Sequence, residues 1–208
     1  MNELIKLGGI IIYPLLVVSV IALAIILERF FYFGSIKREI PEKVMLQLKN
    51  YLKNGEKSKA LRLFSHSRNP VHRILSSGIL AWERGYEEME REMEEVKMMV
   101  FPRMERRLPM LHFIGIMSPS LGLLGTVTGM IKIFHFLSLN VESQQLAGGI
   151  SEALITTAFG LGISIPALAA YYYFTNKLEH VVTHSEKREL ELLHYAQKSG
   201  DVHAKIQN

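Results

Sequence analysis

Residues 150–174 read ISEALITTAFGLGISIPALAAYYYF, an apolar run long enough to cross a membrane. Its one charged residue is Glu152, near the start of the run. A charged side chain in a membrane helix usually faces a bundle interior or an ion pathway, because exposing it to hydrocarbon costs about 2.5–3.5 kcal/mol. The run also holds small and hydroxyl residues that are unusual on a lipid-facing helix: Ser151, Thr156, Thr157, Gly160, Gly162 and Ser164. The segment is therefore predicted to line a sheltered polar region.

Two further apolar runs of spanning length precede this one. Leu7–Leu27 contains no charge, and Leu108–Leu137 has Lys132 as its one full charge. The first run is too long for a secretory signal and lacks a small-residue cleavage site, so we expect it to be retained. The 208-residue chain is therefore predicted to be an all-α membrane protein with three transmembrane helices. It contains no cysteine, which excludes disulfides and thiolate metal sites.

The distribution of charge predicts the orientation. Residues 28–107 carry 17 Lys or Arg against 12 acids, whereas 138–149 carries no base and one acid. The positive-inside rule places the larger loop in the cytoplasm. No basic-aromatic motif for nucleic acid accompanies the basic residues. The expected order is an external N-terminus and first span in 1–27, a cytoplasmic helical loop in 28–107, a second span in 108–137, an external hairpin in 138–149, a third span in 150–174 and a cytoplasmic helical tail in 175–208.

The cytoplasmic loop is predicted to be helical, because its apolar residues recur at helical spacing between proline and glycine boundaries. The expected helices are Pro41–Asn54, Glu56–Ser65, Pro70–Arg84 and Tyr86–Arg107. The last of these is expected to run straight into the second span. The third span should likewise continue through residues 176–197 as a long extension.

Small residues in the second span predict close helix packing. Pro119 removes one backbone donor and is expected to bend the helix. Gly122, Gly125 and Gly129 follow at spacings that suit close backbone approach in a membrane. Thr126 lies beside them, and either faces a polar neighbour or returns a hydrogen bond to its own helix.

The polar residues of the third span cover a wide arc. Glu152, Thr156 and Gly160 form one stripe, and a second stripe of Thr157, Gly160 and Ser164 meets it at Gly160. A helix with this pattern is expected to line a cavity or to pack against polar neighbours.

Lys132 and Glu152 fall at similar depth in the second and third spans. They either form an ion pair, or Lys132 extends to the membrane interface by itself. A single carboxylate near an interface cannot relay a proton across about 30 Å of hydrocarbon. If the chain conducts ions, a second titratable group should therefore come from another subunit.

Two motifs carry a family resemblance. SPSLGLLGTVTGMI (118–131) and GGISEALITTAFGLGISIPALAAYYYF (148–174) resemble the ExbB/TolQ family of the MotA/TolQ/ExbB proton channel superfamily, in the pattern of ExbB-like biopolymer transport proteins. The resemblance implies a ring-shaped homo-oligomer, a pentamer, around a single-span ExbD/TolR-like partner with a membrane aspartate. It further implies an inner-membrane motor that uses the proton motive force to energise a TonB- or TolA-like protein, with the N-terminus periplasmic and the C-terminus cytoplasmic.

The resemblance also implies roles for individual residues. Thr126, Glu152 and Thr157 correspond by motif position to polar pore-lining residues, and Thr156 adds a second hydroxyl beside them. Pro166 corresponds to the proline of the family's IPA segment.

The chain departs from the family pattern at two positions: Thr128 replaces an aromatic residue, and Tyr172 replaces an asparagine. With the added hydroxyls, these departures leave open a Na⁺-driven version of the motor. A flagellar MotA-like stator is a second alternative, although four spans would be expected there. A passive helix scaffold is a third. An intramembrane hydrolase would need a paired acid, a metal cluster or a nucleophile–base set, and a lone Glu152 with scattered histidines supplies none of these. We therefore expect no enzyme activity, no metal and no cofactor.

Overall fold

The computed structural model describes residues 10–36, 40–65, 69–138 and 143–206, and within these ranges the ordered elements are all helices. We number the α-helices in chain order: α1 (Ile12–Ser35), α2 (Glu42–Lys53), α3 (Lys57–Arg62), α4 (Pro70–Ala81), α5 (Tyr86–Glu105), α6 (Leu108–Ser138) and α7 (Ser143–Ile206). A 3₁₀ turn, Trp82–Arg84, follows α4. The all-helical fold class is confirmed.

Three helical stretches are long and apolar enough to cross a membrane, and they lie within Ile12–Ser35, Tyr86–His135 and Gly148–Ser199. This confirms the three predicted spans. The chain divides into two compact units. The membrane unit contains the described residues of 1–30 and 107–174, and the charged unit contains those of 31–106 and 175–208.

Large apolar side chains fill the core of the charged unit. The fully buried ones come from four helices: Met45, Leu48, Ile74, Leu75, Ile79, Met89, Met93 and Leu192. Asn69 caps the start of α4 by accepting a hydrogen bond from the Val71 N–H, and Pro70 occupies the first turn, where no N–H is needed. The predicted loop helices form, and their ends lie within three residues of the predicted ones.

The last third of α7 is part of this core and is tied to the segment before α2. The Ile40 N–H donates to His184 Nε2 at 2.9 Å, and Arg188 donates to the Ile40 carbonyl at 2.9 Å. Lys49 and Glu191 form an ion pair at 2.6 Å. The prediction that the third span continues as a long helix is confirmed, because α7 is unbroken to Ile206.

Two boundaries differ from the prediction. α5 does not run into α6: the helix ends at Glu105, and Arg107 adopts a left-handed φ of 72°. Pro109 explains the break, because a continuous helix would need its missing N–H to pair with the Glu105 carbonyl. At the other end, the third membrane helix begins at Ser143 and not at Ile150, so the connection is shorter than the expected 138–149 hairpin, and residues 139–142 lie outside the described ranges.

Candidate functional site

α6 and α7 meet along a line of small residues, which we call the seam. A Cβ atom built on Gly160 would lie 2.5 Å from the Ser118 carbonyl oxygen and 3.1 Å from the Gly122 Cα. A Cβ on Gly122 would lie 3.0 Å from the Thr157 Cα. Both contacts are with backbone, which cannot move aside, so only glycine fits here. Small residues let the two backbones approach closely. This close packing holds the helices together, because lipid provides no hydrophobic drive for their association.

The seam continues on both sides of this point. A Cβ on Gly129 would lie 2.8 Å from the Ala153 Cβ, and one on Gly125 would overlap the Thr156 side chain. Gly122, Gly125 and Gly129 on α6 therefore face α7. No passage runs between α6 and α7 along this line, since backbone and small side chains fill it.

Two hydroxyls cross the seam to backbone carbonyls of α6. Thr157 Oγ1 donates to the Gly122 carbonyl at 3.0 Å, and Ser164 Oγ donates to the Gly115 carbonyl at 2.6 Å. The second bond has a specific cause: Pro119 has no N–H, so the carbonyl four residues earlier, Gly115, lacks its helical donor. The Ser164 hydroxyl supplies that donor from the neighbouring helix. α6 continues as a helix through Pro119.

Thr126 and Thr156 return their hydrogen bonds to their own helices. Thr126 donates to the Leu123 carbonyl at 2.6 Å and is half-buried. Thr156 donates to the Ala153 carbonyl at 2.8 Å and is 1% exposed. For Thr126 this is the local alternative considered from the sequence. A pore-lining role for the four predicted residues stays a prediction, and Thr156 is buried in the seam within a single chain.

Lys132 and Glu152 are paired. Lys132 Nζ lies 2.8 Å from Glu152 Oε1, and the two side chains are 49% and 24% exposed. Of the alternatives considered from the sequence, the structure therefore contains the ion pair. The pair lies at the end of the seam where Gly129 meets Ala153. The ion pair links α6 to α7 there, and the hydrogen bonds of the Thr157 and Ser164 hydroxyls link the two helices further along the seam.

The membrane unit contains a second ion pair, which was not predicted from the sequence. Arg107 at the start of α6 contacts the Glu28 carboxylate of α1, and Glu28 also lies 3.8 Å from Arg29. The signal was present in the Glu-Arg pair that ends the first apolar run. Its partner could not be identified, because several arginines precede the second run.

The remaining predicted site residue is Pro166. It lies in the interior of α7, is exposed, and does not interrupt the helix. Among the described residues, no group of three His, Asp or Glu side chains is placed to hold a metal ion.

Comparison with known proteins decides the family. The family model of the MotA/TolQ/ExbB proton channel family matches residues 66–187, which include α6 and the part of α7 that forms the seam. The chain belongs to this family. The matched region contains Thr126, Lys132, Glu152, Thr157 and the two crossing hydroxyl bonds, so the seam lies within the part that the family shares.

Individual relatives agree. An ExbB homolog of Methanothermobacter thermautotrophicus is 31% identical over 177 residues, covering 85% of this chain and 63% of that protein. An ExbB-like protein of Synechocystis is 33% identical over 177 residues, covering 82% of this chain and 68% of that protein. The Tol-Pal system protein TolQ of Pseudomonas aeruginosa is 40% identical over 82 residues, 38% of this chain and 36% of that protein. The chain thus spans less than two thirds of the first of these relatives.

Proposed function

We propose that this chain is the ring-forming subunit of an inner-membrane motor. With a single-span ExbD/TolR-like partner, it uses the proton motive force to energise a TonB- or TolA-like protein. The N-terminus lies in the periplasm, residues 31–106 and the tail lie in the cytoplasm, and the ring is a pentamer, as the family resemblance implies. The chain acts as a transport subunit and not as an enzyme.

The observation that carries the proposal is the filled seam with one ion-paired carboxylate at its end. Backbone contacts at Gly122 and Gly160 leave no room for an ion between α6 and α7 of one copy. An ion route must therefore follow surfaces that assembly brings together. Glu152 is the one acid of the third apolar run, and it cannot span about 30 Å of hydrocarbon by itself. The partner supplies the second titratable group.

The hydroxyl oxygens of Thr126 and Thr157 can still accept hydrogen bonds along such an ion route. Thr126 and Thr157 each use their proton in a hydrogen bond to a backbone carbonyl. Their oxygens still have lone pairs that accept a hydrogen bond from a partner's protonated carboxyl or from water. Glu152, held by Lys132, sets the charge at the outer entrance. Each charge that crosses 100 mV releases about 2.3 kcal/mol, so several crossings drive one mechanical step.

The test is energised transport in membranes that contain the chain and its partner. Glu152→Ala and Thr157→Val are expected to leave assembly intact and to abolish transport. Ser118→Ala is the matched control, since Ser118 also lies at the seam but its buried hydroxyl donates to the Ile114 carbonyl of its own helix. Full transport in both Glu152→Ala and Thr157→Val, with the complex intact, would contradict the proposal.

The driving ion is tested separately. An uncoupler that collapses the proton gradient should stop transport, whereas replacing Na⁺ with choline should leave it unchanged. The reverse result would identify the Na⁺-driven version. Ion flux along an imposed gradient distinguishes the motor from a passive scaffold, which would conduct nothing.

A further inference from the structure

Two prolines within the membrane helices each remove the helical donor of the carbonyl four residues earlier. Pro119 frees the Gly115 carbonyl, and Ser164 donates to it from the neighbouring helix. Pro166 frees the Gly162 carbonyl in the same way. Gly162 is exposed, a Cβ built on it would have no neighbour within 4 Å, and among the described residues no side chain donates to its carbonyl. Among the described residues, a side chain therefore compensates for Pro119, and no side chain compensates for Pro166.

An unpartnered donor lies on the other helix. Ser120 is exposed on α6, and its hydroxyl makes no hydrogen bond within the described residues. The Ser118 hydroxyl, two residues earlier, donates to the Ile114 carbonyl. In hydrocarbon, a hydroxyl or a carbonyl without a partner costs several kcal/mol. Lipid tails offer neither a donor nor an acceptor. Within the part of the chain that the structure describes, the two helices thus expose a hydroxyl donor and a carbonyl acceptor that have no side-chain partner, both near the middle of their apolar runs.

These two groups lie on opposite outer faces of the α6–α7 pair. Ser118 and Gly160 touch across the seam. Ser120 lies two residues, or about 200°, from Ser118, and Gly162 lies two residues, or about 200°, from Gly160. Each therefore faces away from the partner helix, so they cannot bond to each other within one chain.

The two groups also lie at similar depth. On α6, Ser120 lies between Gly115 and Gly122. On α7, Gly162 lies between Ser164, which bonds to Gly115, and Thr157, which bonds to Gly122. Counting along the antiparallel helices gives an offset of about three residues, or roughly 4–5 Å at 1.5 Å per residue. A tilt of the helix pair by about 15–20°, which is ordinary for membrane helices, is enough to bring Ser120 and Gly162 to the same depth in the membrane.

We propose that the Ser120 hydroxyl of one copy donates to the Gly162 carbonyl of the next. A rotation about the membrane normal preserves depth, so a donor face on α6 and an acceptor face on α7 meet in a head-to-tail contact. Such contacts close into a ring when the rotation closes. A second copy of this chain is the occupant, because it carries the complementary group at the matching depth. The proposal specifies a contact for the ring of the proposed function, but it requires only self-association.

Cross-linking tests the contact directly, because the chain has no native cysteine. The double variant Ser120→Cys/Gly162→Cys, oxidised in membranes, should give a ladder of covalent multimers. Mixing chains that carry one cysteine each should stop at the dimer. Val20→Cys/Gly162→Cys is the control, since Val20 is an exposed residue of α1, and it should remain monomeric. No ladder, or an equal ladder in the control, would overturn the proposal.

Substitutions without cysteine provide a second measurement. Ser120→Ala should weaken self-association about threefold, the effect of an average hydrogen bond between membrane helices. Pro166→Ala restores the N–H that pairs with the Gly162 carbonyl, so in that background Ser120→Ala should have no further effect. An equal loss in both backgrounds would refute the bond. Cross-linked multimers that fail to transport would contradict the proposed function and leave this contact in place.

Discussion

The two units of this protein use glycine differently, and the difference reflects the solvent around each. In the charged unit, a Cβ built on Gly78 would lie 2.6 Å from Met93 Sδ, on a flexible side chain that can shift. In the membrane unit, a Cβ on Gly160 would meet the Ser118 carbonyl oxygen at 2.5 Å. The first unit buries large side chains away from water, and the second gains contact by bringing backbones together. The charged unit is therefore stabilised by the volume of its buried side chains. The membrane unit is stabilised by the lack of a side chain at the glycines where its helices touch.

Removing volume should do most damage in the charged unit. Ile74 is fully buried there, and Ile74→Ala is expected to lower the free energy of unfolding of that unit by about 2–5 kcal/mol, through lost burial and a residual cavity. Amide hydrogen exchange of the full chain measures it. Leu80→Ala, at a 56% exposed position of the same helix, should change little. Equal losses in the two variants would show that burial does not hold this unit together.

Adding volume should do most damage at the seam. Gly160→Ala is expected to destabilise the membrane unit by about 1–3 kcal/mol, because the added methyl meets backbone. Denaturant unfolding of the purified chain in detergent measures this. Gly162→Ala is the matched control two residues away, where the methyl meets nothing. The comparison fails if the control loses as much as Gly160→Ala.

The bond between Ser164 and Gly115 should contribute less than the close approach of the helices. Ser164→Ala is expected to cost about 0.6–1.7 kcal/mol in the same detergent measurement, the range found for hydrogen bonds between membrane helices. In a Pro119→Ala background the Gly115 carbonyl regains its helical donor, so the cost of Ser164→Ala should shrink. A cost that is unchanged in that background would mean that the serine acts through packing alone.

The smallest effect is a pH dependence of the charged unit. Burial lowers the pKa of His72, whose ring packs edge-on against Phe64. The unfolded chain binds the proton more readily, so stability should fall as the pH drops below the ordinary value of 6.5 toward the lowered pKa. Hydrogen exchange between pH 7.5 and 5.5 measures it. His72→Gln should flatten the slope, and His194→Gln, at an exposed position, should leave it unchanged.

The spans and the glycine face of α6 could be predicted from the sequence, because apolar length and small-residue spacing are local properties. The end of α5 was mispredicted although Pro109 signals it, since the continuous charge pattern suggested a single helix. The Ser164–Gly115 bond could not be predicted, because it depends on the rotation and register of α7 against α6. The same holds for Lys132 and Glu152, whose similar depth indicated proximity but not contact.

The pairing of Lys132 with Glu152 has a consequence that grows with copy number. In the ring that we propose, each copy would place one cation and one anion together at the end of the seam, so this pair would add no net charge whatever the number of copies. Neutralising the lysine alone would leave a negative charge on every copy, and those charges would repel one another around the circle. A substitution that is mild in one chain would then act collectively, and adding the matching neutral residue at 152 should relieve it.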